Sequence, residues 1–361
     1  MGGSAFKSLA STAFPRLPPQ LYHEQKARFT RVIQDHYVEV AVPSEAPEKE
    51  THGDIDYLVC TPRVPTSGAV NVPHETIKDA LGAAHVIPME GNRTSNFAVP
   101  ISQAERQTSA LSGDGDCEDD VKYYQVDIHV CNDSEELKRI FFFHSYGDLG
   151  MILGLVAQNV GLAWGTNGLK YSHPPHPAII LCTSHDEIAA FFGLSMERWN
   201  AGFKTRAEVF EWVRTSRFFD PSYFQSGLQK VKQDRAMYFQ FTKWADGLER
   251  ELPMSKEDIL RRREQVRQEA LVYFNKKDEL EAYYRLIKNR QLLKESFTGH
   301  TVSAWTGLGE HWRAVKQVMD TVRNAHGGDE GLAGIIEEEG EEGVRKRVMD
   351  AYNSLGFATA N

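Results

Sequence analysis

Cysteine is scarce in this chain. There are four in 361 residues, Cys60, Cys117, Cys131 and Cys182, and they show none of the paired spacings of a zinc site or a disulfide framework. A disulfide-stapled scaffold is therefore excluded, and no disulfide-linked partner is expected. Long apolar runs are missing too: the longest, "MILGLVA" at 151–157, falls far short of the roughly 20 residues a spanning helix needs, so no membrane partner is expected. The first residues, "MGGSAFKSLASTAFPRLPP", have neither a basic region nor a continuous apolar stretch of the kind that directs export, and Phe6 stands where a myristoylation pattern requires Ser or Thr. A cytoplasmic or nuclear protein is the expectation. An excess of positive charge is also absent. A net charge of −9 argues against a protein that coats nucleic acid indiscriminately. No internal repeat is evident.

What remains is the composition of an ordinary globular protein, 41% apolar and 25% charged, long enough for two domains. The charge is unevenly spread. Residues 1–150 carry 13 Lys and Arg against 22 Asp and Glu, whereas 203–300 carry 20 against 15. An acidic front half with a basic helical back half suits a metal site facing a polyanion-binding surface; the competing reading is that the basic residues line solvated helix faces.

The most informative stretch is "HGDIDYLV" at 52–59. Ile55, Tyr57, Leu58 and Val59 favour a strand, whose period of two puts Asp54 and Asp56 on one face, where they repel each other. The competing explanation is a solvated edge strand. A pair of same-face carboxylates is also what a magnesium site requires, because hard cations take oxygen ligands and cancel the repulsion.

Along the chain, "LPPQLYHEQKARFTRVIQDHY" has apolar residues at helical spacing, "VEVAVPSEA" (38–46) alternates as a strand, and the aspartate strand covers 54–60. A short helix is predicted at 74–83, a strand at 95–101, a polar loop at 112–120 and a strand at 123–131, "YYQVDIHVC", which carries a third carboxylate, Asp127. From Asp133 the pattern turns helical, with a helix predicted over 147–164. A brief strand at 178–183 leads into a capping box formed by Ser184 and Glu187. Residues 196 to about 355 are read as helical, with 335–348 a charged surface helix containing a break. The expected fold class is α+β: a mixed sheet flanked by helices in residues 1–146, followed by a mainly helical domain in 147–361.

A Gly-Gly-Ser turn, a D-x-D strand and a lone Asp on a later strand, in that order, resemble the DNA-polymerase-β-like nucleotidyltransferase superfamily. The helical segments "HSYGDLGMILGLVAQNVGL" and "DEIAAFFGLSMERWNAGFKTRAEVFEWVRTSRFF" look like those of viral-type poly(A) polymerases and CCA-adding enzymes. An unusually long stretch separates Ser4 from Asp54. The resemblance implies Asp54, Asp56 and Asp127 as metal-binding catalytic carboxylates, Gly2, Gly3 and Ser4 as a phosphate-gripping turn, and Ser145 and Tyr146 as groups near base and ribose. It implies Mg²⁺ or Mn²⁺ as cofactor, a nucleoside triphosphate as substrate with ATP the expected donor, and an RNA 3′ end as acceptor. Transfer of AMP to a protein or small molecule, and a catalytically inactive nucleotide-binding module, are the alternatives.

Other features carry two readings. Tyr146 also fits core packing. His173 and His176 in "SHPPHP" read as a Pro-rich loop before they read as metal ligands. Phe210, Trp212 and Val213, amid Lys204, Arg206, Arg214 and Arg217, read first as core and second as an RNA-stacking surface.

Overall fold

The computed structural model describes the chain except for residues 1–4, 7, 8, 10–12, 65–70, 90–92, 104, 106–120, 225–234, 250–254 and 358–361. The polar segment 112–120 and the turn residues Gly2, Gly3 and Ser4 thus lie outside the described residues. The rest is α+β, with backbone contacts dividing it into two compact units, Met1–Phe274 and Asn275–Asn361. The boundary read from the sequence after 146 falls inside the first unit.

The first unit is built on a five-stranded mixed sheet. Helix α1 (Pro19–Gln34), started by prolines that fix the backbone of its first turn, leads to β1 (Tyr37–Ala41). That strand ends short of its predicted limit, since Pro43 lacks the N–H a further ladder bond needs. Next come β2 (Ile55–Pro62), α2 (His74–Leu81), β3 (His85–Ile87), β4 (Thr94–Pro100) and β5 (Tyr123–Val130). The three-residue β3 was too short for any sequence period to reveal. The spatial order is β1-β2-β5-β4-β3, and the β2–β5 pair is parallel while the others are antiparallel.

Alternation along the central strands sets up the two faces of the sheet. Ile55, Tyr57 and Val59 of β2, Val126, Ile128 and Val130 of β5, and Phe97 and Val99 of β4 pack with Phe29 and Ile33 of α1 and Ile77 and Leu81 of α2 in one buried core. On the opposite face, Leu58, Cys60 and Cys131 meet Leu137 and Ile140 of α3 (Ser134–His144), a helix capped by Asp133, which accepts from the Glu136 N–H. That helix covers one end of the face. The other end, carrying Asp56 and Asp127, stays open.

Beyond α3, α4 (Leu149–Asn159) stops five residues before the predicted helix end. Gly161 takes a left-handed φ of 79°, which redirects the chain into a hairpin of β6 (Leu162–Gly165) and β7 (Gly168–Tyr171), joined by β8 (Ile179–Cys182) in a second sheet. Half of the predicted capping box is present: Ser184 Oγ accepts from the Glu187 N–H at the start of α5 (His185–Phe192), while the Glu187 carboxylate faces the Cys182 thiol. Helices α6 (Met196–Asn200), α7 (Arg206–Arg214), α8 (Ala236–Asp246) and α9 (Lys256–Tyr273) complete the unit. Phe210, Trp212 and Val213 are buried, the first of the two readings given to that segment.

Among the described residues, no single helix is long and apolar enough to cross a membrane. The apolar pair α3 and α4 is bent by 90°, with Ile140, Ile152, Leu153 and Val156 buried. Cys60, Cys131 and Cys182 are free thiols. The second unit is helical: α10 (Lys277–Ser296), α11 (Gly299–Thr306), α12 (Trp312–Ala325) and α13 (Gly328–Ser354) surround a core of Phe297, Val302, Val318, Leu332, Val344 and Val348. The break expected in the charged stretch is at Gly340, whose φ is 68°.

Candidate active site in a cleft over the sheet

The open end of the sheet face is the floor of a cleft of about 1270 Å³, ample for a nucleotide and a second substrate group. Strand register decides what meets there. In the parallel β2–β5 ladder Asp56 is the partner of Asp127, and in the antiparallel β4–β5 ladder Asn96 is the partner of Asp127. The three therefore form one cross-strand row. The next row in the same direction along β5 is Leu58, His129 and Thr94, roughly 6.6 Å further on, two residues of strand rise.

Asp127 is held firmly. Asn96 Nδ2 donates to its Oδ1 at 2.7 Å, and Gln125 Nε2 donates to Oδ2 at 2.8 Å and to Oδ1 at 3.0 Å. Burial pushes its carboxyl up to about 6 even though these bonds pull it down, with the Asp54 charge adding to the rise. Asp56 is pushed further, to about 7, by surrounding protein first and then by Asp54 and Asp127. Its side chain also reaches open water in the cleft, and burial, with two neighbouring carboxylates and too little opposing charge, raises it. Asp54, one residue before β2, is half-buried and exerts its field on both others. The sequence thus leads to three mutually repelling acids that the fold brings together.

Among the described residues, no group of three or more His, Cys, Asp or Glu is arranged to hold a metal ion by itself. The donor set suits magnesium in a different way. Mg²⁺ is commonly held by one or two carboxylates, with water and substrate phosphate oxygens completing its shell, and the raised Asp56 and Asp127 are carboxylates whose ionised form a cation would favour.

One wall is the segment 43–51 between β1 and β2. Lys49 Nζ is ion-paired with Glu45, and its charge favours ionised Asp56. Tyr22 OH donates to Glu45 Oε1 at 2.6 Å, and His52, stacked on Tyr22, sets its Nδ1 3.4 Å from Glu45 Oε2. Burial alone would raise Glu45, but His52, Lys49 and Tyr22 together hold it down, to about 2. Arg206, at the start of α7, ties the segment to the helices: its side chain donates to the Pro47 and Glu48 carbonyls at 3.1 Å each and to Gln240 Oε1 at 2.6 Å. On the far wall Arg235 Nη1 lies 3.1 Å from Asp148 Oδ1.

Ser145 and Tyr146 are buried and do not line the cleft. Ser145 is fully buried; its hydroxyl donates to the Phe141 carbonyl at 2.7 Å and accepts from the Ser44 N–H at 3.0 Å. Tyr146 is buried against Trp199 and Phe203, with its OH donating to the Trp199 carbonyl at 3.1 Å and its N–H to the Ser44 carbonyl at 2.6 Å. Its φ of 61°, followed by 69° at Gly147, turns the side chain inward. At Gly147 a Cβ would sit 2.8 Å from that of Ala46, so only glycine lets the two segments close up. Both residues brace the wall from behind, while His144 and Phe143 beside them line the cleft.

Four arginines of the back half are engaged within the first unit. Arg263 and Arg267 of α9 donate to the carbonyls of Asn159 and Gly161 at 3.0 Å each, Arg262 faces Asp220 at 3.7 Å and Arg217 pairs with Glu269 at 2.7 Å. They tether helices rather than form an open basic track. Glu45, Lys49, Asn96 and Arg235 escaped the sequence reading, and Arg206 was read only as part of a core or RNA-stacking segment. The Glu45/Lys49 spacing of four was visible, but nothing local linked it to the aspartates. No family model matches the chain, and no curated protein matches it.

Proposed function

We propose that this protein is a template-independent nucleotidyltransferase, moving a nucleoside monophosphate from a triphosphate to a hydroxyl, with the 3′ end of an RNA as acceptor. The observation that carries the reading is the in-register pair Asp56 and Asp127 at the floor of the cleft, within the field of Asp54. Divalent cations, when bound, would neutralise the charge that builds on the attacking and leaving oxygens of an in-line displacement. Asp54 and Asp56 would hold the cation on the triphosphate side. Asp127, oriented by Asn96 and Gln125, stands where the attacking hydroxyl would lose its proton, and a carboxylate raised toward neutral pH is a better base than an ordinary one. Lys49 offers a cation to phosphate oxygens from the wall.

A second reading, transfer to a small-molecule or protein hydroxyl, is favoured by the inward engagement of the α9 arginines, because affinity for RNA rests on free cations that neutralise phosphates. Incubation with each labelled triphosphate, Mg²⁺ or Mn²⁺ and a short RNA, beside the Asp56→Asn/Asp127→Asn double variant, tests both. RNA lengthened by the wild type alone is the expected result. Label transferred only to protein or to a small hydroxyl compound would shift the conclusion to the second reading, and nucleotide binding without transfer to anything would refute both.

A further inference from the structure

The row adjoining the acids has chemistry of its own. Asp127 is flanked along β5 by Gln125 on one side and His129 on the other. Gln125 is 3% exposed, is engaged with Asp127, and has as its partner on β4 Ala98, which is buried among Phe6, Phe14 and Tyr123. That side is closed. On the other side Leu58, His129 and Thr94 all line the cleft, together with Phe143, His144 and Met151. A group attached to a hydroxyl beside Asp127 can extend this way along the sheet but not toward Gln125.

We infer that the row Leu58, His129 and Thr94 seats the terminal ribonucleoside of the acceptor, its ribose over His129 and Thr94 and its base between Phe143 and Met151. The assignment of that nucleoside as the acceptor rests on the function proposed above. The row has neither carboxylate nor Lys or Arg, so it suits a neutral polyhydroxyl ring and not a phosphate. The His129 ring is fixed by Nδ1, 2.9 Å from Thr94 Oγ1. Its Nε2 is buried without a hydrogen-bond partner among the described residues, an arrangement that native proteins seldom keep unless another group completes it. A sugar hydroxyl is such a group. Two apolar walls without a directional donor set would hold any base by contact, so the seat reads sugar rather than base identity.

The test uses the full chain without divalent cations, and uncharged nucleosides as probes, so that it depends on no turnover. Saturation-transfer NMR with adenosine and uridine should give comparable signals at the ribose protons, weakened at least about fivefold for 3′-deoxyadenosine, since one hydrogen bond is lost. His129→Ala should abolish the signal while ATP with Mg²⁺ still binds, and Arg347→Ala should leave nucleoside binding unchanged. Should His129→Ala unfold, Thr94→Val, which removes the ring's partner, must weaken the ribose signal several-fold. Ribonucleosides that never bind while ATP and Mg²⁺ do, or that bind His129→Ala as well as wild type, would overturn the seat and leave the transferase reading standing. Nucleosides held at the row by a protein that never transfers nucleotides would overturn that reading instead.

Discussion

The cleft and the helical unit Asn275–Asn361 treat charge in opposite ways. On the helices, opposite charges face one another: Arg285 toward Glu330, Lys288 toward Glu337, and Arg347 toward Glu339. In the cleft like charges are set side by side, Asp54 and Asp56 against Asp127. The first arrangement keeps a solvated surface quiet and contributes little stability; the second costs stability and persists only where something else is gained. The difference teaches that the partner of a charge, more than the number of charges, separates a functional site from a surface. Residues 335–348 hold five acids against two in 52–59, yet they are ordinary.

The contrast can be broken most decisively by activity. Asp127→Asn should lower nucleotide transfer by about 10³-fold or more, a loss of roughly 4 kcal/mol of transition-state stabilisation, whereas Arg347→Ala should leave the rate unaltered. Steady-state extension rates for the two variants decide it. Loss of activity in both would mean that the comparison fails.

A smaller effect concerns the wall. Ser145→Ala should destabilise the first unit by about 1–3 kcal/mol, since it strips the buried Ser44 N–H of its acceptor. Nucleotide affinity of the folded fraction should not change, because the hydroxyl never faces the cleft. Urea unfolding and a binding titration on the same preparation separate the two effects. A selective loss of affinity would return Ser145 to the role that the resemblance implied.

Next is pH. Asp56 and Asp127 have folded-state values above those of an unfolded chain, so the metal-free protein should lose stability as pH rises from about 4 through about 6 and 7. Cations bind the ionised forms and must displace protons at lower pH. The rise in Tm produced by Mn²⁺ should therefore be larger at pH 8 than at pH 5.5. A Tm rise independent of pH would place the cation elsewhere. Asp56→Asn should flatten the metal-free profile and stabilise the protein at pH 8 by up to about 1 kcal/mol, after discounting for the solvent that reaches Asp56.

The smallest effect lies on the helices. Lys288→Ala should change stability by less than about 0.5 kcal/mol at any pH from 6 to 8, as expected for an exposed pair. Thermal melts would show it.

Much of this arrangement was legible in the residues themselves. The period of two placed Asp54 with Asp56, the strand-like run "YYQVDIHVC" supplied Asp127, and the Ser184 cap marked the start of its helix. What local pattern cannot express is register between distant strands. Nothing near Asn96 announces that it will meet Asp127, and nothing near Tyr22 or His52 announces Glu45. The inward placement of Ser145 and Tyr146 was hidden for a related reason. The pair of left-handed residues that turns Tyr146 inward is imposed by its close approach to Ser44 and Ala46, which belong to another part of the chain.

The position of β5 has a consequence for biosynthesis. It is the last of the five strands to be made, yet it lies between β2 and β4. A chain emerging from the ribosome therefore has β1 to β4 in hand with a gap at the centre of the sheet, and Asp54 and Asp56 without their third companion. Only when β5 inserts do the acids converge, and a slip of one residue would turn Asp127 into the apolar core and leave Ile128 in its place. Nascent and mispaired chains thus lack the assembled acids, and the site is completed by the same event that completes the fold.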